Sequence, residues 1–188
     1  MQGKVVREGD KEYNESIQIV NERFNQTFPC LVIYCSNAQE VSISVIWSRK
    51  YKVPFAVRSG GHSYEGFSLS DGIILDISYI NSTQFSFSAK VPLDVIFYLK
   101  HDPPQAIIGG GAKQIDVYNM IYGKGYVLPG GSCPAMGISG YTLGGGFGLL
   151  GRQFGMIVDR LAGVEVVLAN GSTVLANSEQ NSDLFWAS

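Results

Sequence analysis

Two glycine-rich stretches carry the residues of this chain that are best suited to bind a ligand and take part in chemistry. The first, Arg58-Ser59-Gly60-Gly61-His62-Ser63, places one of only two histidines directly after a Gly-Gly pair. Successive backbone N–H groups without neighbouring Cβ atoms can bind a phosphate, and an arginine can add a charged fork. A tight turn between two strands, with His62 merely exposed, is the alternative interpretation of the same six residues.

The second stretch, residues 137–151, contains seven glycines and follows closely after Cys133. It includes one formal Gly-x-Gly-x-x-Gly pattern, formed by Gly146, Gly148 and Gly151. A nicotinamide-binding fingerprint needs a strand directly before that pattern and a sustained helix after it. Because Gly155 interrupts any helix after a few residues, the pattern is not interpreted as a dinucleotide fingerprint.

The remaining reactive side chains do not indicate a metal site. His62, His101 and the three cysteines are not spaced as metal ligands. A Cys–His hydrolase using Cys133 and His62 remains an alternative, although two glycine-rich loops are more typical of an extended, phosphate-bearing ligand. Cys30 and Cys35, in "FPCLVIYCS", are predicted to be small core residues of a buried strand.

Composition excludes several classes of protein and partner. The net charge of −2 gives no footprint for nucleic acid, and 45% apolar against 16% charged residues argues against disorder. Nowhere do eighteen consecutive apolar residues predict a membrane span. The first residues do not form a signal peptide, so a cytoplasmic location is the default expectation.

The loops must be positioned by a mixed set of helices and strands. In the first half, a helix is predicted at 13–28 and a strand at 31–35, followed by a capping-box signature formed by Ser36 and Gln39. With a helix over 37–51 and a strand over 53–58, the first strand forms a βαβ unit, which predicts parallel strands, and a third strand is predicted in "GIILDIS".

The second half is predicted to contain more strands than helices. The segment "NSTQFSFSAK" alternates like an exposed strand, "KHDPPQ" indicates a turn, and "AIIGGGA" a short strand. A helix is expected at 114–122, ending at Gly123. A long strand in "RLAGVEVVL" then turns at Asn170-Gly171 into "STVLA", which predicts a hairpin.

Three segments, "PFAVRSGGHSYEG", "GSCPAMGISGYTLGGGFGLLGRQFGM" and "DRLAGVEVVLANG", carry a family resemblance. In that order they resemble the FAD-linked oxidoreductases with a p-cresol methylhydroxylase (PCMH)-type FAD-binding domain, and within them the berberine bridge enzyme-like branch. The resemblance implies an α+β fold in which an N-terminal helical lead-in, residues 1–27, precedes a PCMH-type domain over 28–188. That domain would consist of two small α/β subdomains, at about 28–80 and about 105–188.

The same resemblance implies FAD as the cofactor and assigns roles to individual residues. His62 matches the histidine that bonds covalently to the flavin 8α carbon, and Cys133 the cysteine that bonds to flavin C6. The residues that would cradle the pyrophosphate are Arg58, Ser59, Gly60, Gly61 and Ser63. The second FAD-contacting stretch would comprise Gly131, Ser132, Gly137, Ile138, Gly140 and Gly144.

The implied function is hydride transfer from an alcohol, sugar or amine-like small molecule to flavin N5, with reoxidation by dioxygen. Relatives continue well past "DLFWA" into a substrate-binding lobe that carries the catalytic base. The chain is therefore expected to be truncated, with that lobe as a missing partner and no catalytic base of its own. The alternative function is a catalytically incompetent FAD-binding remnant.

Overall fold

The computed structural model describes residues 3–86, 97–99 and 105–188. The chain forms two units, the first comprising residues 1–80 and 167–173 and the second residues 81–166 and 174–188. Each unit has its own sheet and its own apolar core, and the mixture of helices and strands confirms the predicted α+β class. The subdomain boundaries inferred from the resemblance stay a prediction.

Unit 1 is built on a four-stranded sheet with the order β1-β2-β4-β3. Its strands are β1 (Lys4–Arg7), β2 (Leu31–Tyr34), β3 (Phe55–Arg58) and β4 (Ile73–Asp76). Both β2 and β3 pair with β4 in parallel, so β2 and β3 run parallel to each other as predicted, whereas β1 pairs with β2 antiparallel. Because β4 lies between β2 and β3, the carboxyl ends of three parallel strands meet at one edge of the sheet.

The core of unit 1 explains why β4 consists of consecutive apolar residues. Ile74 belongs to a cluster with Val6, Tyr13, Ile17 and Val32. Ile73 and Leu75 belong to a second cluster with Ile33, Cys35 and Val45. Neighbouring residues of a strand point to opposite faces, so β4 is covered on both sides, as is typical of a central parallel strand.

Two short helical segments and one longer helix complete unit 1. They are α1 (Tyr13–Ser16), a 3₁₀ turn (Glu22–Phe24) and α2 (Ala38–Tyr51). The α2 helix was predicted at 37–51, but its capping residues are shifted by one from the predicted pair. The side chain of Asn37 accepts the N–H of Glu40 at 2.9 Å, and the carboxylate of Glu40 accepts the N–H of Ser36 at 3.0 Å.

The continuous helix predicted at 13–28 is wrong, and β1 was not predicted. After α1 the chain leaves the helical path, and the N–H of Val20 donates to the carbonyl of Gly61 at 3.1 Å. The side chain of Asn21 then accepts the N–H of Arg23 and starts the 3₁₀ turn. A tertiary bond therefore outweighs the local helical periodicity.

The strand that was expected to bury both cysteines buries one of them. Cys35 is buried as predicted, whereas Cys30 precedes β2 and is exposed, with its Sγ 3.7 Å from the carbonyl oxygen of Asp71. The prediction that Cys30 is a core residue is therefore wrong.

Unit 2 contains a five-stranded sheet with the order β5-β7-β6-β8-β9. The strands are β5 (Thr83–Ser86), β6 (Phe97–Leu99), β7 (Gln105–Ile108), β8 (Leu161–Val167) and β9 (Thr173–Asn177). The pairings of β7 with β5 and β6, and of β6 with β8, are antiparallel. Most of the turn predicted in "KHDPPQ" lies outside the described residues.

Four helices accompany this sheet: α3 (Gln114–Tyr122), α4 (Ile138–Leu143), α5 (Gly151–Phe154) and α6 (Ser182–Trp186). The α3 helix has the predicted bounds, and Gly123 caps its C-terminus. The buried core of unit 2 includes Val117 and Ile121 of α3, Ile108 of β7, Ile138 of α4 and Ile157. A single apolar core therefore fixes α3 and α4, the two helices that flank the Cys133 segment.

The hairpin predicted at Asn170-Gly171 is present between β8 and β9. The N–H of Leu168 donates to the carbonyl of Ser172, and the N–H of Gly171 donates back to the carbonyl of Leu168, both at 2.8 Å. Gly171 has a φ of +86°, which a residue with a side chain rarely adopts.

Within the described ranges, no helix combines the length and apolar character needed to traverse a bilayer.

Candidate functional site

The first glycine-rich loop begins where β3 ends. Ligands of open α/β sheets bind outside the carboxyl ends of parallel strands, and residues 59–63 lie at such an end. Gly61 has a φ of +66°, which requires glycine, and its carbonyl accepts the N–H of Val20. Within the described part of the chain, the N–H groups of Gly60 and Gly61 have no acceptor.

Arg58 is buried beneath this loop and paired with Asp76 at the end of the adjacent strand. Its Nε donates to Asp76 Oδ2 at 2.6 Å, and its Nη2 donates to the carbonyl of Ser16 at 2.6 Å. The other oxygen of Asp76 accepts the N–H of Ser78 at 2.9 Å. Arg58 thus connects the start of the loop to α1 and β4.

One nitrogen of this guanidinium, Nη1, is buried and has no partner among the described residues. Arg58 Cδ lies 3.7 Å from the position that a Cβ on Gly61 would take. An orphaned guanidinium N–H and backbone N–H groups next to glycine are donors of the kind that bind a phosphate. The pyrophosphate roles of Arg58, Ser59, Gly60, Gly61 and Ser63 stay predictions that this geometry supports.

His62 and Ser63 follow the glycines directly. The imidazole of His62 is half-buried, and Ser63 Oγ accepts the N–H of Phe67 at 3.0 Å. The Ser63 hydroxyl therefore closes the loop on its C-terminal side. The role of His62 as a flavin attachment point stays a prediction.

The segment that contains Cys133 is bound along its length by the start of α3. The N–H of Ile115 donates to the carbonyl of Pro134 at 3.0 Å, and the N–H of Gln114 donates to the carbonyl of Met136 at 2.9 Å. Further along, the N–H of Ile138 donates to the carbonyl of Ala112 at 2.9 Å. The Cys133 side chain is half-buried, and all three cysteines of the chain are thiols.

The other predicted residues of this second stretch have different environments. Ser132, Gly140 and Gly144 are exposed, Gly131 is half-buried, and Gly137 and Ile138 are buried. The side chain of Ile138 packs in the core, so a contact with a ligand would have to come from its backbone. A Cβ on Gly140 would have no atom within 4 Å, so this face of α4 is open.

Two glycines of the formal Gly-x-Gly-x-x-Gly pattern are required by packing rather than by a ligand. A Cβ on Gly148 would lie 1.9 Å from the carbonyl oxygen of Gly130, and one on Gly146 would lie 1.9 Å from Ile157 Cγ2. The α5 helix that follows is only four residues long. The interpretation that this pattern is not a dinucleotide fingerprint therefore agrees with the structure.

Several residues that support the two loops were missed in the sequence. Asp76 could have been found because it is the last residue of its strand and pairs in register with Arg58. Tyr118 donates its hydroxyl proton to the carbonyl of Gly131 at 2.6 Å, and it lies four residues after the buried Gln114 on α3. The i, i+4 spacing of these two polar residues was the available signal.

Burial also shifts the acidity of side chains near these loops. Burial, and to a smaller extent the nearby Tyr141, raises the pKa of the Tyr118 phenol well above its usual value. Burial likewise raises the pKa of Tyr141. Both phenols are therefore neutral hydrogen-bond donors at physiological pH.

Among the described residues, no group of three or more His, Cys, Asp or Glu side chains could bind a metal ion.

Comparison with known proteins places these loops in a family. The model of the FAD binding domain matches residues 29–177. The FAD-linked oxidoreductase YgaK of Bacillus subtilis is 32% identical over 191 residues, which cover 99% of this chain and 39% of YgaK. The chain thus spans about two fifths of the length of this relative.

Solved structures with the same fold include oxidases with different substrates. 6-Hydroxy-D-nicotine oxidase from Arthrobacter nicotinovorans is 29% identical, with a TM-score of 0.87 over 100% of this chain and 38% of its own. BBE-like 1 from Physcomitrella patens is 30% identical, with a TM-score of 0.84 over 99% of this chain and 38% of its own.

Glucooligosaccharide oxidase from Acremonium strictum, described with a 6-S-cysteinyl, 8α-N1-histidyl FAD, is 25% identical. Its TM-score is 0.80 over 98% of this chain and 36% of its own. The match over residues 29–177 and these relatives show that the chain belongs to the FAD binding domain family, among the FAD-linked oxidoreductases with a PCMH-type, berberine bridge enzyme-like fold.

Proposed function

We propose that this chain is the FAD-binding part of an oxidoreductase and that both glycine-rich loops bind the cofactor. The observation that carries the proposal is the donor set at the end of β3. There the orphaned Nη1 of Arg58 and the N–H groups of Gly60 and Gly61 suit a diphosphate. Asp76 and Ser16 hold the guanidinium, so that its position is fixed before a ligand binds.

We further propose that the flavin is attached covalently, through His62 to the 8α carbon and through Cys133 to C6. Both residues lie on segments that are bound to neighbouring elements by backbone hydrogen bonds. The glucooligosaccharide oxidase relative has a histidyl and a cysteinyl attachment of these two kinds.

When bound, FAD would supply an acceptor for a hydride from an alcohol, sugar or amine-like substrate, and a route for the electrons to dioxygen. This chain's own residues would bind the cofactor, orient it and prevent its loss. Relatives named for 6-hydroxy-D-nicotine and for oligosaccharides support a small-molecule substrate of one of these classes. The second candidate function is a catalytically incompetent FAD-binding remnant.

The attachment is tested by denaturing the protein purified from cells supplied with riboflavin. We expect the visible flavin absorbance to stay with the polypeptide through denaturing gel filtration. The single variants His62→Ala and Cys133→Ala should each retain one bond, and the double variant should release all flavin. Flavin that separates from the denatured wild-type chain would contradict covalent attachment.

The redox function is tested separately, on the same yellow protein under anaerobic conditions. Loss of flavin absorbance with any member of a panel of sugars, alcohols and amines would support the oxidoreductase. Colour that persists with every substrate, but bleaches with dithionite, would support the FAD-binding remnant instead.

A further inference from the structure

We propose that Tyr118, with Gln114, is a positioning residue for Cys133: it holds the peptide segment that presents this thiol to the flavin. The inference rests on the proposed function, because the thiol needs a fixed position only if it attaches to the cofactor. All the residues concerned lie in unit 2, and neither Tyr118 nor Gln114 is among the residues matched to the family's flavin contacts.

The first step concerns the Tyr118 hydroxyl, which has two partners and one proton. Its oxygen lies 2.6 Å from the carbonyl oxygen of Gly131, and it also makes a short contact with the side-chain amide of Gln114. A backbone carbonyl can only accept, so the phenol proton bonds to Gly131. The structure has Gln114 Oε1 facing the Tyr118 hydroxyl and leaves Nε2 without a partner among the described residues, and exchanging the two ends of this amide would let Nε2 donate to the Tyr118 oxygen.

The second step concerns the position of Gln114 against the same glycine. Its side chain is fully buried, and one polar atom of the amide has no partner within the described ranges. A Cβ on Gly131 would lie 3.1 Å from one end of this amide and 3.2 Å from the other. The amide therefore packs directly on the Gly131 Cα atom, and the two side chains hold this residue from two directions.

The third step is that the hydrogen bonds lie on both sides of Cys133. Gly131 precedes it by two residues and is held by Tyr118, while Pro134 and Met136 follow it and are held by the backbone of α3. The carbonyl of Cys133 itself accepts the N–H of Met136 at 3.4 Å. Without the Tyr118 hydroxyl, the side-chain hydrogen bond on the N-terminal side of Cys133 would be lost, and the direction of the Cys133 Cβ would be less defined.

The attachment that depends on this placement is an oxidative coupling. The Sγ–C6 bond forms as the thiol hydrogen and the hydrogen on flavin C6 are lost. The two electrons and two protons released reduce dioxygen to hydrogen peroxide. A thiol that is displaced from C6 should couple slowly, whereas the bond at His62 should be unaffected because it depends on unit 1.

The main experiment compares Tyr118→Phe with the wild-type chain, both produced with FAD. Peptide mass spectrometry measures the fraction of Cys133 and the fraction of His62 that carry flavin in the same sample. We expect thioether formation to be at least ten-fold slower in Tyr118→Phe, with normal attachment at His62. Equal occupancy of Cys133 in both proteins at early times would overturn the proposal.

The matched control is Tyr122→Phe, four residues along the same helix. The Tyr122 ring is exposed, and its hydroxyl makes no hydrogen bond within the part of the chain that the structure describes. In this variant Cys133 should couple to the flavin at the wild-type rate.

A second test variant, Gln114→Met, removes the amide while keeping the length of the side chain. Combined with Tyr118→Phe, it should add little further slowing, because both act through Gly131.

A readout without cofactor separates this inference from the proposed function. The flavin-free protein is made with Cys30→Ser, so that the exposed Cys30 thiol does not react. The rate at which Cys133 then reacts with a disulfide reagent reports how well its thiol is held. We expect Tyr118→Phe to raise this rate at least three-fold and Tyr122→Phe to leave it unchanged. If the wild-type chain carries no thioether, the proposed attachment fails, and an unchanged reagent rate in Tyr118→Phe would also overturn the positioning role.

Discussion

At the scale of single residues, the buried ion pair of Arg58 and Asp76 carries the strongest constraint in unit 1. Both residues are at most 5% exposed, and their side chains connect the ends of two parallel strands with α1. Removing one partner of a buried ion pair leaves an uncompensated charge, which is more costly than the pair itself is favourable. This pair is therefore a structural support for the loop that contains His62.

We predict that Asp76→Asn lowers the free energy of unfolding by about 3 kcal/mol, because Arg58 then remains buried without its counter-charge. Urea denaturation, followed by tryptophan fluorescence, measures the change. Asp71→Asn is the matched control, because Asp71 is exposed and lies in the same unit. Equal denaturation midpoints for the two variants would contradict the structural role of the pair.

A second prediction at this scale concerns the three thiols. Burial raises the pKa of the Cys35 thiol to about 11, so that it stays protonated and shielded up to pH 10. In flavin-free native protein at pH 8, Cys30 and Cys133 should react with a disulfide reagent, and Cys35 only after denaturation. Three reactive thiols in the native protein would contradict the burial of Cys35, and Cys35→Ser identifies which thiol is the slow one.

At the scale of elements, α2, α3 and the β8–β9 hairpin were predicted well because their signals are local. An N-terminal capping signal, a C-terminal glycine and an Asn-Gly turn each act within a few residues. The N-terminal segment was predicted wrongly because Val20 donates to Gly61, more than forty residues away. The order β2-β4-β3 and the support of Gly131 by Tyr118 likewise depend on long-range contacts, which no local pattern contains.

The glycines of the second stretch give a prediction for α4. Gly140 lies within this helix with nothing near its Cβ position, so Gly140→Ala should keep or raise stability, by up to about 1 kcal/mol. If this face contacts FAD, the same variant should take up less flavin. Gly146→Ala is the contrasting control: its φ of +70° and the 1.9 Å approach to Ile157 should destabilise unit 2 by about 3 kcal/mol. Normal flavin uptake by a well-folded Gly140→Ala protein would remove Gly140 from the cofactor site.

At the scale of the whole molecule, each of the two units has its own core and one of the two glycine-rich loops. If both loops bind one cofactor, FAD must stabilise both units at once. A ligand that binds only the folded state adds RT ln(1 + [L]/Kd), which is about 2.7 kcal/mol at a concentration of one hundred times Kd. The double variant His62→Ala/Cys133→Ala makes this measurable, because without covalent bonds the cofactor can be added and removed.

We predict that FAD added to this double variant slows amide hydrogen exchange in residues 59–63 and in residues 131–144 together, with the same concentration dependence. The shared dependence is the decisive feature, because one ligand that contacts both segments gives one binding constant. Riboflavin, which lacks the diphosphate, serves as the matched ligand control and should protect both segments far less. Protection of one segment alone would mean that a single unit binds FAD, and the other glycine-rich loop would then have to be explained by packing, as Gly146 and Gly148 already are.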